Sequence, residues 1–136
     1  MKITWKDFDE AAHEIAWRFQ HSNLIKIVGL QRGGLPLAVK LSNLLDVPME
    51  VLDYQTRDGS SDLGLVDDQI LKMGNLEHVL FVDDICDSGK TISDIKALYS
   101  NARFVTLCER NTGLTEFSPI RIEEMDDGWI EFPWEK

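Results

Sequence analysis

Residues 79–92 combine carboxylates, hydroxyls, a glycine and a lysine at the end of an apolar run that is typical of a buried strand. Three acids follow that run: Asp83, Asp84 and Asp87. Adjacent carboxylates can bind ribose hydroxyls or a hard cation such as Mg²⁺. The next helix opens with Ser88-Gly89-Lys90-Thr91, and the unpaired N–H groups of a helix start favour a phosphate. The stretch therefore predicts a site for a phosphorylated sugar.

Two other phosphate-binding motifs do not fit these residues. A Walker A loop needs a glycine five residues before Gly89, and Asp84 stands there, where its charge would repel nucleotide phosphates. The glycines at positions 29, 33 and 34 lack the spacing of a dinucleotide-binding loop. The remaining alternative is an acidic helix start without a ligand, since acids are common there. Three acids and a Gly-Lys-Thr turn after a buried strand favour the binding site.

A second loop, within residues 27–36, also follows a β-branched run. Its Arg32 has the forked donors that bind anionic oxygens in pairs. The alternative is a plain strand-to-helix turn, tightened by Gly33 and Gly34, with Arg32 in solvent. Because ligands of parallel sheets bind at the carboxyl ends of the strands, we expect this loop to face the same site as residues 83–91.

The elements around these loops predict an α/β fold. Thr4, with Asp7 three residues later, predicts a capped helix ending near Gln20. Its expected apolar face consists of Trp5, Phe8, Ala12, Ile15, Ala16 and Phe19. Strands are expected at residues 24–29, 49–52, 79–82 and 103–108, alternating with helices that begin near Leu35 and Ser88. The last helix should bury Ile92, Ile95, Leu98 and Tyr99. Residues 54–64 predict a mobile loop, and the whole predicts a mostly parallel sheet flanked by helices.

Composition excludes several classes of protein. The chain has 136 residues, about one domain's worth. A net charge of −10 argues against a nucleic-acid binder, which needs a basic face. The sequence contains neither an apolar run near the ~20 residues of a membrane helix nor a signal peptide, so we expect no stable membrane insertion. Two cysteines without metal-site spacing favour a cytoplasmic protein.

The motif at 79–92 resembles the 5-phosphoribosyl-1-pyrophosphate (PRPP) signature of type I phosphoribosyltransferases, and the loop in 27–36 is similar to their pyrophosphate loop. Ile3-Thr4-Trp5 before a helix, and DDGWIEFPW at 126–134, resemble the small bacterial xanthine-guanine phosphoribosyltransferases. The resemblance implies a single domain, residues 1–136, with the type I phosphoribosyltransferase fold. It also implies a small base-covering hood, formed by residues 111–136 and the N-terminal segment.

The resemblance implies transfer of ribose 5-phosphate from PRPP to a 6-oxopurine (guanine, xanthine or hypoxanthine), with release of pyrophosphate, as in purine salvage. The PRPP-binding residues would be Arg32, Gly33, Asp83, Asp84, Asp87, Ser88, Gly89, Lys90 and Thr91. Asp87 would be the catalytic proton acceptor, and Mg²⁺ would be the cofactor, with Asp84 as its ligand. The base would contact Arg110, where the family has a lysine, and the hood pair Trp129 and Ile130. Alternatively, Trp129, Phe132 and Trp134 only cap the core.

Other functions and partners stay open at this point. Uracil or adenine could be the base. Arg110 disfavours adenine, because a cationic guanidinium cannot accept a hydrogen bond from the exocyclic amine. A non-catalytic PRPP-sensing module is a further alternative, and a proton acceptor at Asp87 argues against it. The family's mobile loop supplies a basic residue to pyrophosphate, here Arg57 or Lys72. The resemblance also implies a homo-oligomer, a dimer or tetramer.

Overall fold

The computed structural model describes residues 1–53, 56–57, 60–61, 68–110, 112–122 and 128–135. Helix α1, Trp5–Phe19, begins with the predicted capping box: the Asp7 N–H donates to Thr4 Oγ1 at 3.1 Å, and the Thr4 N–H donates to Asp7 Oδ2 at 2.9 Å. The predicted apolar face is buried except for Trp5, which is exposed, while Ala11 is buried in addition. Trp5 lies in the first turn, where its ring contacts Phe8 and the C-terminal tail rather than the sheet.

The described strands form a five-stranded, all-parallel sheet and a separate two-stranded antiparallel hairpin. The sheet contains β1 (Lys26–Leu30), β2 (Met49–Leu52), β5 (Val79–Cys86), β6 (Arg103–Glu109) and β7 (Ile120–Arg121), in the order β2-β1-β5-β6-β7. The hairpin consists of β3 (Thr56–Arg57) and β4 (Ser60–Ser61). Helices α2 (Leu35–Leu45) and α3 (Lys90–Leu98) flank the sheet, so the predicted fold class is confirmed.

The two faces of the sheet bury different helices. Ile27 and Val28 are adjacent in β1, and successive strand residues point to opposite faces. Ile27 packs in the cluster that contains α1 and α2, whereas Val28 packs in the cluster that contains Ile92 and Ile95 of α3. Burial on both faces explains why β1 and the first half of β5 read as continuous apolar runs. The prediction that Leu98 is buried was wrong: it lies exposed at the end of α3, beyond the edge of that cluster.

Strand β5 is four residues longer than the predicted 79–82 and runs to Cys86. Its partner β6 continues to Glu109, and the two strands stay paired from Leu80 to Cys86. The first two acids therefore lie within the strand rather than after it, because the backbone ladder outweighs their low strand propensity. This pairing fixes the direction in which Asp83 and Asp84 leave the backbone.

Most of the predicted loop 54–64, including the Arg57 side chain, lies outside the described residues, and so do residues 123–127 of the predicted hood. Lys72 is described and lies at the surface. Among the helices within the described ranges, none has the length and apolar character that crossing a bilayer requires.

Candidate active site

Three strand ends meet around one cavity of about 1370 Å³. The loops after β1, β5 and β6 all reach it, as expected for the carboxyl edge of a parallel sheet. Its wall contains these residues predicted from the sequence: Arg32, Gly33, Asp84, Asp87, Arg110, Trp129 and Ile130. The structure therefore brings together side chains from four separate parts of the chain. Asp83 and the turn Ser88–Thr91, although described, are outside this wall.

The loop after β1 packs directly against β5. The Gly34 N–H donates to the Leu30 carbonyl at 2.9 Å, which closes a tight turn before α2. A β-carbon at Gly33 would overlap the Asp84 carboxylate, with the Asp84 Cγ only 2.6 Å away. A β-carbon at Gly34 would overlap the Val82 carbonyl oxygen. Gly34 is therefore required by close approach of backbone, whereas a side chain at Gly33 would displace the Asp84 carboxylate. The turn brings the exposed Arg32 to the same cavity as Asp84.

The two acids of β5, Asp83 and Asp84, are largely buried and lie close to other carboxylates. Burial, followed by repulsion from Asp84, raises the pKa of Asp83 well above its ordinary value. Burial also raises the pKa of Asp84, and the Glu135 carboxylate adds to that rise. A divalent cation would relieve this repulsion, and carboxylate oxygens are the ligands that Mg²⁺ prefers. Within the described ranges, no cluster of three or more acidic, histidine or cysteine side chains forms a complete metal centre.

Asp87 and Arg110 form an ion pair at the rim of the cavity. Arg110 Nε lies 2.6 Å from Asp87 Oδ1, and the side chain of Asp87 is 63% exposed. Arg110 Nη2 also lies 3.5 Å from the carbonyl oxygen of Gly128, next to Trp129. One guanidinium therefore connects the loop after β5 with the C-terminal tail, through two of the several N–H donors of its fork.

The late aromatic residues divide into two groups. Phe132 is buried and stacks on Trp134 with ring centroids 4.9 Å apart, and Trp134 contacts Phe8 of α1. These two rings cap the core, as the alternative interpretation expected. Trp129 is 79% exposed on the cavity wall, with its neighbour Ile130 buried. Its ring is therefore free of the core packing that holds the other two.

The N-terminal segment pairs with the tail that carries Trp129. The Ile3 N–H donates to the Glu131 carbonyl, and the Glu131 N–H donates to the Met1 carbonyl, both at 2.9 Å. These bonds form a parallel bridge between Lys2 and Glu131. The N-terminal segment thus supports, from outside the cavity, the part of the tail whose Trp129 and Ile130 line the cavity wall.

The turn before α3 has the backbone form that its glycine predicts. Gly89 has φ +80°, in the left-handed region that favours glycine. The Lys90 N–H donates to Ser88 Oγ at 3.3 Å. Lys90 Nζ lies 2.9 Å from Asp94 one helical turn later, so its charge is partly used within α3.

Glu135 is a cavity residue that the sequence reasoning missed. It accepts a hydrogen bond from the Phe132 N–H at 3.1 Å and is close enough to Asp84 to raise the pKa of that carboxyl. No local signal distinguishes it from the other acids of the tail, because its position depends on how the tail folds back over the sheet.

Comparisons with known proteins agree with this geometry. A family model described as "Phosphoribosyl transferase domain" matches residues 5–135. Xanthine-guanine phosphoribosyltransferases from Cereibacter sphaeroides and Roseobacter denitrificans are each 29% identical, over 98% of this chain and 85% and 84% of their own. The crystal structure of a purine phosphoribosyltransferase from Pyrococcus horikoshii is 27% identical with a TM-score of 0.75, over 100% of this chain and 94% of that one. The chain therefore belongs to the phosphoribosyltransferase domain family.

Proposed function

We propose that the protein transfers ribose 5-phosphate from PRPP to a 6-oxopurine, guanine, xanthine or hypoxanthine, and releases pyrophosphate, as a purine salvage enzyme. The observation that carries this proposal is the convergence of Arg32, Asp84, Asp87 and Trp129 on one cavity. Relatives named xanthine-guanine phosphoribosyltransferase, which match nearly the whole chain, support the choice of substrate class.

The PRPP half of the reaction assigns roles to the β1 and β5 ends. Breaking the bond at the anomeric carbon develops oxocarbenium character on the ribose and negative charge on pyrophosphate. Asp83 and Asp84 bind the ribose hydroxyls, while Arg32 and the Gly33 amide face the pyrophosphate. The backbone amides and hydroxyls of Ser88–Thr91 anchor the 5-phosphate far from the reacting bond, which supplies orientation.

The acids of β5 also fit a Mg²⁺ ion. Asp84 would hold it, with Asp83 acting partly through water. Burial is the main cause of the raised pKa of both carboxyls, with smaller contributions from the charge of Asp84 on Asp83 and of Glu135 on Asp84, and a cation would offset each of these. When bound, the ion would partly neutralise the negative charge of the pyrophosphate.

The base half of the reaction uses the Asp87–Arg110 pair. Asp87, exposed at the cavity rim, accepts the proton of a purine ring nitrogen. Arg110 beside it donates to the 6-oxo oxygen, so one ion pair recognises an N–H and a carbonyl on the same edge of the base. The Trp129 ring stacks on the base face as part of the hood formed with the N-terminal segment.

Arg110→Met is expected to lower kcat/KM for hypoxanthine about 10–100-fold, because a hydrogen bond from a charged donor contributes about 1.5–3 kcal/mol. Adenine differs from hypoxanthine at position 6, and kcat/KM for adenine should not fall. The matched control is Arg103→Met, which removes an arginine from the other end of β6, where it pairs with Glu116 at 2.9 Å. Equal losses with both bases would contradict the assignment of Arg110 to the 6-oxo oxygen.

Trp129→Ala is expected to raise the KM for guanine about tenfold, since stacking of a base on an aromatic ring contributes about 1–3 kcal/mol. The exposed ring contributes little to the core, so the Tm should stay close to that of the unmodified protein. Trp17→Ala on α1, which removes an equally exposed tryptophan away from the cavity, is the control. An unchanged KM in the Trp129 variant would show that Trp129 does not stack on the base.

One assay separates this function from its alternatives. The protein is incubated with PRPP, Mg²⁺ and each of guanine, xanthine, hypoxanthine, adenine and uracil, and pyrophosphate release is followed. We expect turnover with the 6-oxopurines. Turnover only with uracil or adenine would indicate another base, and retained PRPP binding with silence towards every base would indicate a regulatory PRPP sensor.

We further propose a cytoplasmic homo-oligomer, a dimer or tetramer, that does not bind nucleic acid. Both cysteines are buried and unpaired, which fits a reducing compartment, and the net charge of −10 repels nucleic acid. Sedimentation velocity at micromolar concentration measures the oligomeric state, and a single monomeric species would contradict the oligomer.

A further inference from the structure

Glu109, at the end of β6, is a buried acid that the reaction described above does not use. The residue is only 3% exposed, and burying a charged carboxylate costs free energy unless the group has hydrogen-bond or ionic partners. Two hydroxyl groups compensate: Thr112 Oγ1 donates to Glu109 Oε1 at 2.7 Å, and Thr115 Oγ1 donates to Glu109 Oε2 at 3.0 Å. Burial alone would raise the pKa of Glu109, but the hydrogen bonds from Thr112 and Thr115, together with the positive charge of Arg121, outweigh it and lower that pKa below its ordinary value.

The segment that these hydroxyls hold, residues 112–115, packs against the start of α3. The Leu114 side chain occupies the space into which a β-carbon at Gly89 would project, and Thr112 Cγ2 lies 3.6 Å from that position. From the other side, Lys96 Nζ of α3 donates to the Leu114 carbonyl at 2.7 Å. The segment therefore braces the turn that is proposed to anchor the 5-phosphate.

A third contact joins the same segment to β5. Cys86 Sγ lies 3.1 Å from Thr112 Oγ1. Because the single hydroxyl proton of Thr112 is donated to Glu109, the Cys86 thiol is the donor in this contact. Cys86 and Glu109 are also register partners in the sheet. Thr112 thus connects the ends of both strands immediately before the Ser88–Thr91 turn.

We propose that Glu109 is a positioning residue for PRPP: through Thr112 and Thr115 it holds residues 112–115 against Gly89 and so fixes the turn Ser88–Thr91 for the 5-phosphate. The proposal rests on the proposed function, since it assigns the support of a site that binds PRPP. The base side should respond less, because the Arg110 N–H is held by a backbone carbonyl, that of Cys86 at 2.9 Å, and by neither of the two hydroxyls.

The test removes the two hydroxyls and leaves the rest of the site intact. The variant Thr112→Val/Thr115→Val is expected to raise the Kd for PRPP with Mg²⁺ by about tenfold, while the KM for guanine changes by less than about twofold. Glu109→Gln should raise the same Kd, but by less than the double variant does, because its amide oxygen still accepts from one hydroxyl. A larger increase than in the double variant would overturn the proposal. If the double variant does not fold, the single variant Thr112→Val replaces it, and we expect a smaller increase in the same Kd.

The control is Thr106→Val, which removes a buried hydroxyl from β6, the strand that ends with Glu109. This hydroxyl lies within hydrogen-bond distance of the Cys108 carbonyl and Ser118 Oγ. Both kinds of variant should lower the Tm, but only loss of the Glu109 partners should raise the Kd for PRPP. An unchanged Kd in the Thr112 and Thr115 variants, or equal increases in the constants for PRPP and guanine, would overturn the proposal. Failure of the unmodified protein to bind PRPP would instead overturn the proposed function.

Discussion

Replacing Asp87 by asparagine is expected to lower kcat about 10²–10⁴-fold, the range that a positioned proton acceptor contributes. The amide keeps the shape of the carboxyl group and an oxygen for Arg110, whose Nε lies 2.6 Å away, but it cannot take up the proton of the purine ring. The affinity for PRPP should fall far less than kcat, since the proposed phosphate and pyrophosphate contacts belong to other residues. Steady-state kinetics with guanine and calorimetric titration with PRPP measure the two quantities.

The control for this variant is Asp9→Asn, which removes a paired carboxylate from α1, where Lys40 lies 2.9 Å away. It changes the net charge by the same amount and should leave kcat unaffected. If Asp87→Asn weakens PRPP binding by the same factor as it lowers kcat, Asp87 is a PRPP ligand and not the proton acceptor.

The variant Gly33→Ala is expected to weaken PRPP binding by at least about tenfold, which corresponds to about 1.4 kcal/mol. The added β-carbon would overlap the Asp84 carboxylate, so that carboxylate must leave its present position. Rotation also breaks the hydrogen bond that the Ile85 N–H donates to Asp84 Oδ1 at 2.8 Å. The loss should appear in the Kd for PRPP measured with Mg²⁺.

Gly74→Ala is the matched glycine variant for this experiment. Gly74 has φ +71° and open space around its α-carbon, so alanine there costs about 1–2 kcal/mol of stability without touching the cavity. Its Tm should fall while its affinity for PRPP stays the same. A Gly33→Ala protein that binds PRPP as tightly as Gly74→Ala would contradict the close packing of the first loop on Asp84.

Local signals in the sequence were enough for most of the fold. The capping box of Thr4 and Asp7 depends on residues three apart, and the alternation of apolar strands and amphipathic helices predicted the parallel sheet. The extension of β5 to Cys86 could not be predicted in this way. It depends on pairing with β6, more than twenty residues later in the chain, and on a backbone ladder that tolerates two acids.

The residues proposed for the chemistry could be named from the sequence where they lie in one continuous segment, but their contacts could not be foreseen where the fold creates them. The acids and the Gly-Lys-Thr turn are local, so their types and spacing carry the signal. The ion pair of Asp87 with Arg110, and the support of residues 112–115 by Glu109, depend on the register of β5 with β6. The difference between the exposed Trp129 and the buried Phe132 depends on how the tail crosses α1.

The most direct test of the central claim is a crystal structure of the protein with PRPP and Mg²⁺. The account predicts the 5-phosphate on the amides of Ser88–Thr91, the ribose hydroxyls on Asp83 and Asp84, and the pyrophosphate beside Arg32. PRPP bound elsewhere on the molecule, with the junction of β5 and α3 occupied only by the protein's own side chains, would contradict it.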